Sequence, residues 1–129
     1  MASVFTKIVK GEIPAYKIAE EEHFLAFLDI FPLAKGHVLV VPKVQIDYLF
    51  DLEENIYHHL WEFVRLVQKG LKKSVSCSRI GVSVVGFEVP HAHIHLVPIN
   101  QVSEMNFSNK FPMKKDELEN SSKKISINI

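Results

Sequence analysis

Near its C-terminal third the chain reads His91-Ala92-His93-Ile94-His95-Leu96-Val97-Pro98, with three histidines at every second position. Apolar residues fill the gaps, so the run predicts a strand of period 2. Successive strand side chains point to opposite faces. The three imidazoles should therefore share one face, with Ala92, Ile94 and Leu96 packed behind them. Such a row carries three groups that ordinarily titrate near neutral pH on one rigid element. Strand residues two apart are separated by about 6.6 Å, which puts the outer pair about 13 Å apart. A metal ion with ligand distances near ~2 Å can take two neighbours of the row but hardly all three. A linear substrate can instead lie along it. One neutral imidazole can attack phosphorus and split a hard displacement into two easier ones. Protonated neighbours would stabilise the charge building on non-bridging oxygens.

The elements around this row predict a small α+β domain. Val4 to Val9 places apolar residues at 4, 5, 8 and 9, a short helical stripe closed by Gly11 and Pro14. Strands are expected at Tyr16 to Ala19, Phe24 to Leu28 and His37 to Val41, the last stopped by Pro42. Short turns between them imply an antiparallel meander. A long helix follows, with Asp51 expected as its N-cap and Glu54 as the returning half of a capping box. Its core-facing stripe is Ile56, Leu60, Phe63, Val64, Val67 and Leu71, while Lys69, Lys72 and Lys73 suit the negative end of the helix dipole. Two more strands, Arg79 to Val85 and Pro90 to Pro98, complete a five-stranded antiparallel sheet. Beyond Asn100 the chain is more polar, and residues Lys114 to Lys124 predict a solvated terminal helix.

Composition narrows the function classes. The 129 residues fit one domain able to bury roughly two-thirds of its unfolded surface. Fifteen basic residues balance fifteen acidic ones, so no net charge draws the chain to nucleic acid or anionic membrane. Any nucleotide recognition must be local. The single cysteine, Cys77, cannot form an internal disulfide and points to a reducing compartment. No apolar stretch approaches the ~18 residues of a membrane span, and the N-terminus lacks a signal-peptide core. The cytoplasm is the expectation.

The run His91 to Val97 resembles the signature of the histidine triad (HIT) family, His-φ-His-φ-His-φ-φ with φ hydrophobic. Ahead of it, Gly11-Glu12-Ile13-Pro14, Leu25-Ala26-Phe27-Leu28-Asp29-Ile30 and Gly36-His37-Val38-Leu39-Val40-Val41-Pro42-Lys43 resemble the family's N-terminal half in the same order. The resemblance is strongest to the small histidine-triad nucleotide-binding proteins. It implies a single HIT domain over residues 1–129, with a core of about 3–100 and a variable tail over 101–129. It also implies an α+β homodimer in which one protomer's sheet extends its partner's. The implied ligand is a purine nucleotide or nucleotidyl conjugate, cleaved between the α-phosphate and its substituent, phosphoramidates included. Carried over by position, His93 would be the nucleophile and His95 would contact phosphate and leaving group. His91 would position His93, and His37 would hydrogen-bond into the row. Asp29 would accept the ribose hydroxyls. Val4, Phe5, Ile8, Phe27 and Ile30 would clamp the base, with Glu88 and Val89 beside the nucleotide.

Simpler roles compete with several of these. Asp29 could merely end a strand, and His37 could be a hydrogen-bonded core histidine. Phe5 and Phe27 are core residues on composition alone. His23, His58 and His59 read as structural or solvated. The chain also departs from the family pattern. Many bacterial relatives hold a structural zinc with an N-terminal Cys-x-x-Cys and later histidines, yet here Ser3, Thr6 and Gln45 occupy three of the ligand places. Hydroxyls and an amide are poor zinc ligands, so no metal or other cofactor is expected. Before the triad, Gly86 fits the pattern but Phe87 replaces a glutamine, removing a polar side chain near the leaving group. The leading reading is a nucleotidyl hydrolase or nucleoside phosphoramidase. The alternatives are a non-catalytic nucleotide-binding module, a dinucleoside polyphosphate hydrolase and, last, a metal-dependent hydrolase.

Overall fold

The computed structural model describes residues 1–129. Helix α1 (Val4–Val9) leads into strands β1 (Lys17–Glu20), β2 (Phe24–Leu28) and β3 (Val38–Pro42). Helix α2 (Glu54–Ser74), strands β4 (Arg79–Ser83) and β5 (Ile94–Ile99) and helix α3 (Lys115–Ser126) follow. The strands form one antiparallel sheet in the order β1-β2-β3-β5-β4. The meander and the five-stranded α+β fold stand as the periodicity predicts.

Strands β2 and β3 are buried along their whole length because both sheet faces are covered. On one face Phe24, Ala26, Leu28, Val38, Val40, Ile94 and Leu96 pack beneath α2 and α3. On the other, Leu25, Phe27, Leu39 and Val41 meet Phe5 and Ile8 of α1. Alternation along each strand thus sends half of every apolar run to each core. The predicted stripe of α2 is the buried one, from Leu60 through Phe63, Val64 and Val67 to Leu71. Gly36, at the turn into β3, has φ +88°, and a Cβ there would meet Val75 Cγ2 at 3.0 Å. Only glycine suits both that backbone and that contact.

Several boundaries and one environment differ from expectation; β1 and β3 are each shifted by one residue, so that Pro42 ends β3 from within. Asp51 does not cap α2, because it is taken into a 3₁₀ turn over Leu49–Asp51. Glu53 caps instead, accepting from the Asn55 and Ile56 N–H groups, so the capping-box role of Glu54 also falls. Strand β4 stops at Ser83, before Val84 and Val85. Regular pairing of β5 begins only at Ile94, since the Ala92 N–H donates outside the sheet to Ile46 O at 2.7 Å. The terminal helix forms, but it is not solvated all round. Leu118 and Ile125 enter the main core, and Asn128 Nδ2 donates to Ser74 Oγ on α2 at 3.0 Å. Two buried aliphatic side chains at about 1.5–3 kcal/mol each outweigh the polar look of that segment.

Candidate active site

All three triad histidines turn to the α1 side of the sheet, while Ala92, Ile94 and Leu96 join the core beneath α2. Phe5 of α1 sits edge-on to two of them, 5.8 Å from the His91 ring and 4.9 Å from His93. The His93 and His95 rings follow at 5.0 Å. All three are buried, and His91 is sealed completely.

The hydrogen bonds fix which nitrogen of each ring carries its proton. A carbonyl oxygen only accepts, so His91 Nε2–H must donate to Pro42 O at 2.8 Å. That leaves His91 Nδ1 to accept from Ser3 Oγ–H at 2.8 Å. The same logic gives His93 its proton on Nδ1, which donates to His91 O at 2.7 Å. His93 Nε2 therefore keeps its lone pair. At the far end the Leu33 N–H donates to His37 Nδ1 at 2.9 Å, so His37 carries its proton on Nε2. That proton is donated to His95 Nδ1 at 2.9 Å, and neutral His95 is left with an outward N–H on Nε2.

Burial holds His37, His91 and His95 in the neutral form. Desolvation pushes His37 down to about 4, partly opposed by the Asp29 carboxylate. It pushes His95 down to about 3, with His37, His93 and Lys110 acting in the same direction. His91 is lowered chiefly by burial, against the stabilising bond to Pro42 O.

One cavity of about 300 Å³ opens beside the row. It brings together Val4, Phe5, Ile8, Phe27, Asp29 and Ile30, and further round Glu88, Val89, His93 and His95. His91 and His37 stand behind the wall. Asp29 ends β2 in an Asx-type turn, its Oδ1 accepting from the Phe31 N–H at 2.9 Å, which fixes the carboxylate. Phe87 is 93% exposed and does not enter the cavity. Two residues of the C-terminal segment that the sequence does not mark as site residues also reach this place. Lys110 lines the wall and binds Asp29 Oδ2 at 3.0 Å, and Phe107 sits edge-on to His95 at 4.8 Å. Two phenylalanines, Phe107 and Phe111, in an otherwise polar stretch were the only signal.

The family model described as HIT domain matches residues 10–102. The chain belongs to the HIT family. An uncharacterised HIT-like protein of Borreliella burgdorferi is 31% identical, with 98% of this chain and 97% of that protein covered. A Saccharomyces cerevisiae protein named adenosine 5'-monophosphoramidase is 34% identical over 75% of this chain and 62% of its own length. Among solved structures, a HIT-like protein from Bartonella henselae involved in cell-cycle regulation superposes with a TM-score of 0.87. It is 29% identical, and 98% of this chain and 96% of that one are covered.

Two clusters in this HIT chain invite a test for metal. In the first, Ser3, Thr6 and Gln45 meet His91. Thr6 Oγ1 donates to Gln45 Oε1 at 2.6 Å, and that oxygen also accepts the Ser3 N–H at 2.7 Å. Hydroxyls and an amide already bonded to one another do not fit zinc. The second cluster is Asp29, His37 and His95, whose ligand atoms lie within 4.8 Å of one another. Both His37 nitrogens and His95 Nδ1 are already committed to hydrogen bonds, so this set does not fit a metal ion either. His23 and His58 lie on the surface beside Glu22 and Glu54, and His59 is exposed as well.

Proposed function

We propose that the protein hydrolyses nucleoside conjugates at the bond between the α-phosphate and its substituent, through a nucleotidyl-histidine intermediate on His93. The observation that carries this reading is the proton pattern of the row. It leaves a free lone pair on His93 Nε2 and a donor on His95 Nε2 at the wall of one cavity. The lone pair forms the bond to phosphorus as the bond to the leaving group breaks. The His95 Nε2–H can donate to the phosphate or to the departing atom. The modified His93 ring becomes cationic, and its Nδ1–H bond to His91 O then becomes charge-assisted and stronger. Water next attacks phosphorus, releasing a nucleoside monophosphate and restoring the His93 lone pair.

Specificity follows from the rest of the cavity. Asp29 offers acceptor oxygens for ribose hydroxyls, and Phe5, Ile8, Phe27 and Ile30 offer apolar surface for a purine. The family reading also has two copies pairing so that one sheet extends the other, and β4 is the strand that could take that contact. That strand is the free edge of the sheet with Val82 50% exposed, whereas α3 packs against the opposite edge strand. The test is mass spectrometry of a rapidly quenched reaction with adenosine 5'-phosphoramidate. An adenylyl adduct on His93 is expected. Turnover without any adduct, or tight nucleotide binding with no turnover of any conjugate, would remove the covalent mechanism.

A further inference from the structure

Phosphate-bearing ligands bring negative charge into a cavity that offers little to meet it. Asp29 and Glu88 are both acidic, and the buried His95 is held neutral, with its partner His37 and the more distant His91 neutral behind the wall. Lys110 is the single lysine or arginine among the lining residues. It arrives on the polar segment that follows β5. That segment is pinned to the site at three points. Phe107 packs on His95, Lys110 binds Asp29, and the Phe111 N–H donates to Pro32 O at 3.1 Å.

The ion pair also bears on ribose binding. Asp29 Oδ1 already accepts from the Phe31 N–H, and Oδ2 accepts from Lys110 Nζ. Two ribose hydroxyls reaching this carboxylate compete with the ammonium for Oδ2. A lysine has a flexible four-carbon stem and three donors, so it can change partner without moving the backbone.

We propose that Lys110 is a specificity-determining residue that meets the phosphoryl charge of the nucleotide, exchanging its bond to Asp29 for one to a phosphoryl oxygen as ribose hydroxyls reach that carboxylate. The proposal rests on the nucleotide site argued above. It makes phosphate recognition depend on the C-terminal segment, and it gives Lys110 opposite effects on nucleosides with and without phosphate. With phosphate, the lysine contributes a charge-assisted hydrogen bond. Without it, the lysine only competes.

Calorimetric titration of the full-length protein with AMP and with adenosine tests this. Lys110→Gln is expected to weaken AMP by about 10- to 100-fold while leaving adenosine unchanged or bound more tightly. Lys110→Arg is expected to retain most of the AMP affinity. In the wild type, added salt should weaken AMP more than adenosine, a comparison that needs no variant. Equal losses of AMP and adenosine in Lys110→Gln would reduce the lysine to a structural strap residue and overturn the proposal. So would unchanged AMP binding, or equal salt dependence of the two ligands. Wild-type protein that binds neither would instead defeat the nucleotide site itself.

Discussion

At the His91 end of the row every partner is an uncharged hydroxyl, amide or carbonyl. At the His95 end, the hydrogen bonds run through His37 to the neighbourhood of a buried carboxylate and a lysine. The first flank satisfies a sealed ring without introducing charge, so it can hold geometry at any pH where the histidines are neutral. The second places Asp29 Oδ2 3.8 Å from His37 Nε2, too far for a good hydrogen bond but near enough to act through its field. One flank therefore orients, and the other can respond to the charge of a ligand. His93 lies between them and takes its orientation from the first through His91 O.

The largest expected effect removes the centre that both flanks serve. His93→Ala should lower kcat by on the order of 10⁴-fold or more, measured on adenosine 5'-phosphoramidate with folding checked by circular dichroism. Residual turnover close to wild type would make both flanks irrelevant to chemistry. Next comes His95→Asn, whose amide oxygen can still accept from His37 Nε2–H. Loss of the outward donor should reduce kcat by about 10²- to 10³-fold with little change in thermal stability. If the same variant unfolds instead, the His95 flank is holding the structure rather than serving chemistry.

The sequence made one flank far more readable than the other. The period-2 run was enough to put three rings on one side of the sheet, because alternation is a property of any strand buried on both faces. Of the cavity residues, Phe27, Asp29 and Ile30 lie in the ordered motifs, while Val4, Phe5, Ile8, Glu88 and Val89 follow from the family resemblance by position, and the fold brings them to one place. Ser3, Thr6 and Gln45 were recognised only as missing ligands. That they bond to one another and to His91 is a matter of side-chain geometry across more than forty positions of chain. Lys110 and Phe107 were not legible, since no periodicity ties an irregular segment to a strand it packs against. The α2 cap failed for a related reason. Asp51 is the better cap by residue type, but a 3₁₀ turn takes it up and leaves the N-cap to Glu53.

Acid separates the flanks less sharply. His37 and His95 have folded-state values of about 4 and about 3, both below the ordinary value of 6.5. Below pH 6.5 the unfolded chain therefore binds protons that the folded chain refuses. Stability should be level above neutrality and fall as the pH drops from 6.5 towards 4. The slope is about 1.4 kcal/mol per pH unit for each unmatched proton. Denaturant melts at pH 7.5, 6 and 5 measure it. His37→Gln should flatten the curve, and an unchanged curve would mean that the stability loss arises elsewhere.

The smallest effects test the uncharged flank from within. Ser3→Ala removes both the N-cap of α1 and the donor to buried His91 Nδ1, so a loss of roughly 1–3 kcal/mol is expected. Gln45→Ala removes an acceptor shared by Ser3 N–H and Thr6 Oγ1, but the side chain stands at the surface and water can replace it. Its cost should stay below about 1 kcal/mol. Thermal melts of the two single variants and the double variant give the coupling between them. Coupling is expected, because both touch the same hydroxyl cluster. A Gln45→Ala loss equal to that of Ser3→Ala would show that the amide, rather than the buried serine hydroxyl, sets the geometry of the His91 end.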